Sequence, residues 1–396
     1  MRVWLGLVYV LPAALAAAQP ADGPFLHSRG YVAAEPRLFP EAPGVAGQDR
    51  LHGSLAAELE LRREWGGGKR SLVVAPFVRL DGTDAARSHF DVREAAFRLV
   101  TDDFELLAGV SKVFWGVTES QHLVDIVNQT DLVENPDGED KLGQPMVKLT
   151  LARAWGTLDL FVLPLSRKRT YPGDDGRLRT SVAVDSDAAV FENRRRPSVA
   201  ARWSRTLGLV DIGLSHFYGT SREPRLAADT REGRARLVPY YDLVHQTGLD
   251  AQLTVGRWLW KLEAIRRTAQ PSSYFAATGG FEYSLANVGG LGFDLGVLAE
   301  YLYDDRGRGA PTPWQDDIFA GMRVAPNDAQ GTELLAGVIV DRRTRAAAWS
   351  LEASRRIGGH WKVGLEARAF RSARADDPLA QLRRDGYVQT EVSFRF

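Results

Sequence analysis

The stretch VQTEVSFRF, residues 388–396, alternates apolar and polar side chains to the last position of the chain. Its apolar set comprises Val388, Val392, Phe394 and Phe396, and the opposite face carries Glu391 and Arg395. Alternation with a period of two is typical of a β-strand that has one apolar and one polar face. The segment therefore predicts a strand whose two faces meet different media.

A chain that ends on such a strand with a terminal phenylalanine resembles the bacterial outer-membrane β-barrels. The resemblance implies that the barrel-insertion machinery recognises the last strand and Phe396. It also implies a location in the outer membrane of a Gram-negative bacterium, in contact with its lipid and lipopolysaccharide.

The first residues of the chain favour the same compartment. Met1 and Arg2 form a minimal charged n-region before the apolar stretch 3–15, and the small residues Ala16-Ala17-Ala18 follow it. This order is that of a secretory signal peptide. We predict a cleaved signal at residues 1–18, a short N-terminal segment at 19–27, and a single barrel domain at 28–396.

Composition excludes several classes of function. The 396 residues contain no cysteine, which excludes disulfides and zinc-thiolate sites. Fifty basic and fifty acidic residues give no net charge, so we expect no nucleic-acid partner. No window beyond the first residues approaches the roughly 20 apolar residues of a membrane helix. The remaining class for a membrane protein is an all-β barrel.

Segments with period-two alternation recur about every 20 residues. They predict a transmembrane, antiparallel, up-and-down meander β-barrel of about 18 strands, with 16 as the alternative count. The candidate strands are 28–38, 53–64, 70–80, 89–100, 104–114, 146–155, 157–166, 197–206, 209–219, 243–255, 257–268, 274–285, 291–303, 315–325, 330–341, 346–356, 360–372 and 386–396.

The gaps between these strands alternate in length. Short gaps rich in Gly, Asn and Asp follow every even-numbered strand, and all the long gaps follow odd-numbered ones. Transmembrane barrels sort their connections in this way, with short turns in the periplasm and long loops outside. We therefore expect residues 167–196 and 220–242 to be long outside loops.

The segment 115–145 is the third outside loop in this order. It combines an apolar part around Val124 and Ile126 with a run of carboxylates, and a loop of this length and apolarity is expected to fold against something. In porins, which this layout resembles, the third outside loop folds inward and narrows the pore. The resemblance rests on loop order and length, and it implies that residues 115–145 form a constriction.

Charged residues on the predicted inner faces are candidates for the pore lining, because a charge facing lipid at the midplane costs about 2–4 kcal/mol for Arg or Lys. We predict that acidic residues of the loop face basic and acidic residues of the wall across a narrow pore. The candidates are Asp125, Asp131 and Glu134 in the loop, and Arg79, Arg98, Arg202, Lys261, Glu300 and Arg368 in the wall.

The sequence leaves three functions open. The leading hypothesis is a channel for passive diffusion of small hydrophilic solutes. The second is a closed structural or adhesive barrel, and the third is an outer-membrane hydrolase.

We expect no enzyme, because the seven histidines lie in seven separate segments without an organised nucleophile. No cofactor or metal is predicted, since Asp137, Glu139 and Asp140 lack EF-hand spacing. The oligomeric state stays open, with a trimer as one option.

Overall fold

The computed structural model describes residues 26–193, 196–269 and 273–396. The predicted signal peptide, residues 1–18, lies outside this part of the chain, as do residues 19–25 of the predicted N-terminal segment. The described residues form 21 strands and four 3₁₀ helices, Ala85–Arg87, Val288–Gly290, Gly307–Gly309 and Pro378–Gln381. None of these helices has the length and apolar character needed to cross a membrane.

Eighteen of the strands belong to one sheet. They are β1 (Leu26–Leu38), β2 (Leu51–Trp65), β3 (Arg70–Asp81), β4 (His89–Val100), β5 (Glu105–Ser111), β6 (Gln144–Arg153), β7 (Gly156–Leu163), β9 (Ser198–Leu207), β10 (Val210–Thr220), β13 (Leu243–Val255), β14 (Trp258–Ala269), β15 (Ser273–Leu285), β16 (Asp294–Asp304), β17 (Asp316–Ala325), β18 (Glu333–Asp341), β19 (Ala347–Ile357), β20 (Trp361–Arg371) and β21 (Tyr387–Arg395). The other three are β8 (Val190–Phe191), β11 (Arg225–Arg231) and β12 (Arg234–Tyr241).

The sheet is a closed antiparallel barrel. Each of its strands pairs with the next one along the chain, and β1 pairs with both β2 and β21. Ala34 of β1, for example, lies opposite Leu55 on one side and Val392 on the other. Closure leaves no strand edge with unpaired backbone groups facing lipid. The predicted meander barrel of about 18 strands is confirmed.

The turns at one end of the barrel are short for a local reason. β9 and β10 are joined by Gly208-Leu209, and β13 and β14 by Gly256-Arg257. Both glycines have positive φ, +64° and +59°, a conformation that glycine adopts without the steric cost of a Cβ. Two-residue turns of this kind match the twist of the flanking strands. The long loops lie at the opposite end, as the alternation of gap lengths predicts.

The predicted loop 220–242 contains structure that the sequence pattern did not indicate. β11 and β12 form an antiparallel hairpin, and β12 pairs in parallel with β8 from the preceding long loop. Most residues of β11 are exposed on both faces. A strand that buries neither face has no alternation of apolar and polar residues, so period-two analysis misses it.

The barrel is apolar outside and polar inside. The exposed apolar residues include Val78, Leu160, Leu214, Val297, Ile318, Met322, Trp349, Leu365, Val388 and Val392. The buried polar residues include Glu35, Ser54, Arg79, Arg93, Glu263, Thr278, Glu300 and Ser393. An exposed apolar belt around a closed barrel is stable where the surrounding medium is lipid.

Candidate functional site

Residues 112–143, between β5 and β6, enter the barrel and are called the lumen loop below. Val124, Ile126 and Val127 at its centre are buried almost completely. They pack on a cluster of inward side chains that includes Phe161 of β7 and Phe217 of β10. Burying each such side chain contributes about 1.5–3 kcal/mol. The apolar part of the loop is therefore held against the wall formed by β6–β15.

Glu263 of β14 binds the loop backbone. Its carboxylate is 0% exposed and accepts hydrogen bonds from the N–H groups of Val117, Thr118 and Val124 at 2.7, 3.0 and 3.1 Å. The hydroxyl of Thr118 donates a fourth bond at 2.8 Å. A buried carboxylate is stable only when its oxygens are satisfied in this way. Glu263 therefore fixes the conformation of residues 117–124.

Replacing Glu263 by Gln should loosen this segment. The amide places N–H groups where the backbone donors now point, and hydrogen bonds to a charged group contribute about 1.5–3 kcal/mol. We expect the free energy of hydrogen-exchange protection at the amides of Val117, Thr118 and Val124 to fall by about 1.5–3 kcal/mol. Glu60→Gln, which removes a carboxylate paired with exposed Arg29, is the matched control. Equal protection in both variants would contradict the role assigned to Glu263.

His122 of the loop lies between two carboxylates. Its Nε2 is 3.0 Å from Glu139, and its Nδ1 is 3.7 Å from Glu263. Burial alone lowers the pKa of His122, but the bonds to Glu139 and Glu263 outweigh it and raise the pKa to about 10. The side chain is therefore a cation at neutral pH, and it links the acidic part of the loop to β14.

Glu300 of β16 holds the next part of the loop. It accepts hydrogen bonds from the backbone N–H groups of Glu119 and Ser120 at 2.7 and 2.8 Å. The Glu119 carboxylate in turn pairs with Lys261 of β14 at 3.4 Å and with Arg323 of β17 at 2.9 Å. The loop thus lies close to the wall at strands β14–β17.

The opposite side of the loop meets a group of buried arginines, which we call the arginine wall: Arg37, Arg79, Arg87 and Arg93. Arg79 of β3 pairs with Glu35 at 2.7 Å and with Glu134 of the loop at 2.6 Å. Arg93 of β4 pairs with Asp131 of the loop at 2.9 Å. Guanidinium–carboxylate pairs of this kind are short and directional. The acidic part of the loop therefore neutralises the arginine wall.

One group of side chains in the described ranges has the composition of a metal site. The Nε2 of His89 lies 3.4 Å from Asp131 Oδ2 and 3.5 Å from Glu134 Oε1. The same two oxygens accept bonds from Arg93 and Arg79 at 2.9 and 2.7 Å. Two guanidinium groups thus already supply the positive charge that a metal would bring, and the arrangement is that of an ion-pair network.

The structure brings together most of the residues that the sequence singles out. Asp125 pairs with Lys141 at 3.3 Å within the loop, and burial raises the pKa of its carboxyl. Arg202 of β9 pairs with Asp250 and stacks over the Trp115 ring at 5.6 Å. Arg368 of β20 binds Asp137 of the loop at 2.7 Å. Asp131, Glu134, Arg79, Lys261 and Glu300 make the contacts described above.

Arg98 is in a different place. It pairs with Glu105 at 2.6 Å, beside the short turn that joins β4 and β5, away from the lumen loop. Conversely, Arg87 and Arg93 contact the loop but are not among the sequence candidates, and the sequence predicts Glu263 only as an inward-facing charge, not as part of the constriction. The alternation of apolar and polar residues can predict that a residue such as Glu263 lies on the inner face. It does not predict where along the barrel axis that residue lies.

A water-accessible cavity of about 630 Å³ separates the loop from strands β17–β21, and we call it the lumen cavity. The loop contributes residues 118–122 and 135–140, and the wall contributes Glu352, Glu366, Arg368 and Glu391 among others. A second cavity of about 520 Å³ lies between the loop and the short-turn ends of β6–β13. The loop therefore narrows the lumen but does not fill it.

Comparisons with known proteins agree with this architecture. No protein-family model matches the chain, and no curated protein matches it in sequence. Among solved structures, a BenF-like porin from Pseudomonas fluorescens Pf-5 is similar, with TM-score 0.56, 12% identity, and coverage of 94% of this chain and 98% of that one. OccK11 (OpdR) of Pseudomonas aeruginosa gives TM-score 0.53 and 11% identity, with coverage of 93% and 96%.

A third similar structure is Wzi of Escherichia coli, described as a carbohydrate-binding β-barrel involved in group 1 capsule assembly. Its TM-score is 0.53 at 9% identity, over 92% of this chain and 84% of Wzi. Together, the closed barrel, its apolar belt and these likenesses define the class. The protein has the fold of the outer-membrane porins, a closed antiparallel β-barrel of eighteen strands with an apolar outer belt.

Proposed function

We propose that the protein is a channel for passive diffusion of small hydrophilic solutes, restricted by the lumen loop. The observation that carries this proposal is the lumen cavity, which is lined by charged side chains and lies beside a loop fixed inside the barrel. Barrels of 16–18 strands leave an aqueous channel in porins. Solutes would be selected by the width of the gap between loop and wall and by the charges that face it.

Conductance of the purified protein in planar bilayers tests the proposal. We expect discrete single-channel openings, and swelling of liposomes in small sugars or amino acids that slows as solute size increases. A barrel that neither conducts nor swells liposomes, even after removal of the loop, would rule the channel out.

A closed barrel is the second candidate, because the loop is anchored on both sides of the lumen. Arg79 and Arg93 bind it on one side, and Glu263, Glu300 and Arg368 on the other. A barrel of this kind would serve as a structural or adhesive surface element. Liposome swelling separates the two functions, since a closed barrel gives none in the intact protein.

We also propose that the last strand carries the signal for membrane insertion. Phe396 pairs with Gly30 of β1 through N–H···O bonds of 2.9 and 3.1 Å, so it takes part in barrel closure. A chain that ends in Phe396→Ala is expected to accumulate outside the outer membrane in cells. The long loop between β7 and β9, which carries basic residues such as the exposed Arg196, is suited to contact lipopolysaccharide phosphates.

A further inference from the structure

We propose that the lumen cavity selects cations over anions, so that the channel admits small positively charged solutes such as protonated amines. This inference rests on the proposed channel function and names its substrate class. It is carried by the distribution of charge between the two sides of the lumen loop.

Acidic groups outnumber basic ones around the cavity. Eight carboxylates line it, against three Arg or Lys side chains and one histidine. The carboxylates are Glu119, Asp137, Glu139, Asp140, Glu333, Glu352, Glu366 and Glu391, and the cations are His122, Arg323, Lys362 and Arg368. With His122 protonated, the lining keeps an excess of negative charge.

Arg368 illustrates why local pairing does not remove this excess. Its guanidinium is shared by three carboxylates, Asp137 at 2.7 Å, Glu352 at 2.6 Å and Glu366 at 3.0 Å. Glu352 and Glu366 also stand directly opposite each other in the β19–β20 ladder. Like charges in that position repel each other. One cation thus serves three anions, and Glu352 remains half exposed to the lumen.

Three further carboxylates have no cationic partner among the described residues. Glu333 of β18 accepts a hydrogen bond from Ser354 at 3.0 Å, and Asp140 and Glu391 face the cavity without an ion pair. Their charge is open to whatever occupies the water-filled space. A cation from solution is the natural counter-ion for such groups.

The positive charges on the other side of the loop are shielded from this water. Arg79, Arg87 and Arg93 are only 4–5% exposed, because the loop covers them. Each is paired with carboxylates, including Glu134 and Asp131 of the loop. The ion pairs between the acidic loop residues and the arginine wall therefore lie in an interface that is closed to water. The lumen cavity lies on the other side of the loop, where acidic side chains are in excess.

The pKa values of two loop carboxyls agree with this uneven distribution. Enclosure by the barrel raises the pKa of Asp137 to about 7, against the lowering effect of Arg368, and Asp140 and Glu366 add to the rise. Enclosure likewise raises the pKa of Asp140 to about 6, with Glu134 and Asp131 contributing. Burial is the largest cause of both shifts, and the neighbouring carboxylates add to it.

A narrow space whose lining has an excess of one sign of charge concentrates counter-ions, by about 10-fold or more at low salt where the excess is strong. For the full-length protein in a KCl gradient near 0.1 M, we expect a K⁺ to Cl⁻ permeability ratio on the order of 10. The ratio should decrease near 1 M KCl, where the Debye length falls to about 3 Å.

The decisive variant combines Asp140→Asn, Glu333→Gln and Glu391→Gln, which removes three charges without breaking an ion pair among the described residues. We expect its permeability ratio to fall several-fold toward unity while single-channel openings persist. The matched control, Glu41→Gln with Asp174→Asn and Asp187→Asn, removes three charges from exposed outside loops and should leave the ratio unchanged.

The outcomes separate this inference from the channel function. Clear openings with a ratio at or below unity, or a ratio that the triple variant does not change, would overturn cation selection and leave the channel intact. The absence of openings both in the intact protein and after loop removal would overturn both proposals.

Cation preference should also depend on pH. Because the pKa values of Asp137 and Asp140 are raised to about 7 and about 6, both carboxyls are charged above this window and neutral below it. The K⁺ to Cl⁻ ratio should therefore decrease on acidification from about pH 8 to about pH 5. The charged groups around Asp137 are Arg368, Glu366 and Asp140, and those around Asp140 are Glu134, Asp131, Arg79 and Arg93.

The double variant Asp137→Asn/Asp140→Asn is the control for this titration. It should show a lower ratio that stays flat across the same pH window. A ratio that is constant with pH in the intact protein, or that changes equally in the double variant, would contradict the assignment of the two carboxyls.

Discussion

Removing the lumen loop is expected to raise the single-channel conductance several-fold. Ser111 at the end of β5 lies opposite Gln144 at the start of β6, so a short Gly-Ser linker replacing residues 114–141 can join the two strands without straining the barrel. The excised segment occupies the space between the arginine wall and strands β14–β20. Its removal leaves the wide aqueous lumen that barrels of this strand number enclose.

The control for this experiment shortens a loop that lies at the rim. Replacing residues 230–235, the exposed tip of the β11–β12 hairpin, with Gly-Gly should leave the conductance unchanged. Both variants should retain β-sheet circular dichroism. Equal conductance of the loop deletion and the intact protein would show that the lumen loop does not control permeation.

The second large effect is expected at Arg79. Its guanidinium bridges Glu35 and Glu134, and all three side chains are nearly buried. Removing one partner of a buried pair leaves uncompensated charge and costs about 3–5 kcal/mol. Arg79→Ala should therefore lower the free energy of unfolding by that amount and release the acidic part of the lumen loop. Denaturant unfolding in detergent measures the first effect, and limited proteolysis of residues 131–140 the second.

An exposed ion pair in the same barrel provides the comparison. Arg29 pairs with Glu60 at 2.6 Å, but its side chain is 76% exposed. Exposed pairs contribute less than about 1 kcal/mol, because water and salt screen them. Arg29→Ala should therefore change stability little. If Arg79→Ala and Arg29→Ala had similar effects on stability, the buried ion pairs would not be what fixes the loop.

The double variant Arg79→Met/Glu134→Gln removes both charges of the Arg79–Glu134 pair. It should therefore recover part of the stability that Arg79→Ala loses.

The sequence predicts the strands of this barrel well because the signal is local. Each strand separates lipid from lumen, so its side chains alternate, as in Val388, Val392 and Phe394 against Glu391. Turn residues such as Gly208 and Gly256 mark the reversals. Where this two-sided environment ends, the prediction fails. The β11–β12 hairpin is exposed on both faces, and the predicted strand 104–114 ends at Ser111, where the chain leaves the wall.

Local sequence patterns predict the candidate site only in part. An apolar run around Ile126 followed by carboxylates indicates a loop that packs against another surface, and alternation indicates which wall charges face inward. Neither pattern tells how far along the axis a residue lies. Arg98 and Arg93 belong to one strand, yet only Arg93 meets the loop, because Arg98 lies near the short-turn end.

By itself, the sequence predicted the barrel, the order of its loops and a count of about 18 strands with 16 as the alternative, since these depend on periodicity and turn chemistry along neighbouring residues. Only the tertiary structure decided which charges meet. The path of the lumen loop places Asp131 and Glu134 against the arginine wall and leaves Asp140 and Glu391 facing water. Which charges meet depends on the register of the eighteen strands around the closed barrel and on the packing of Val124 and Ile126 against the wall. Both are set by contacts between residues that are far apart in the chain.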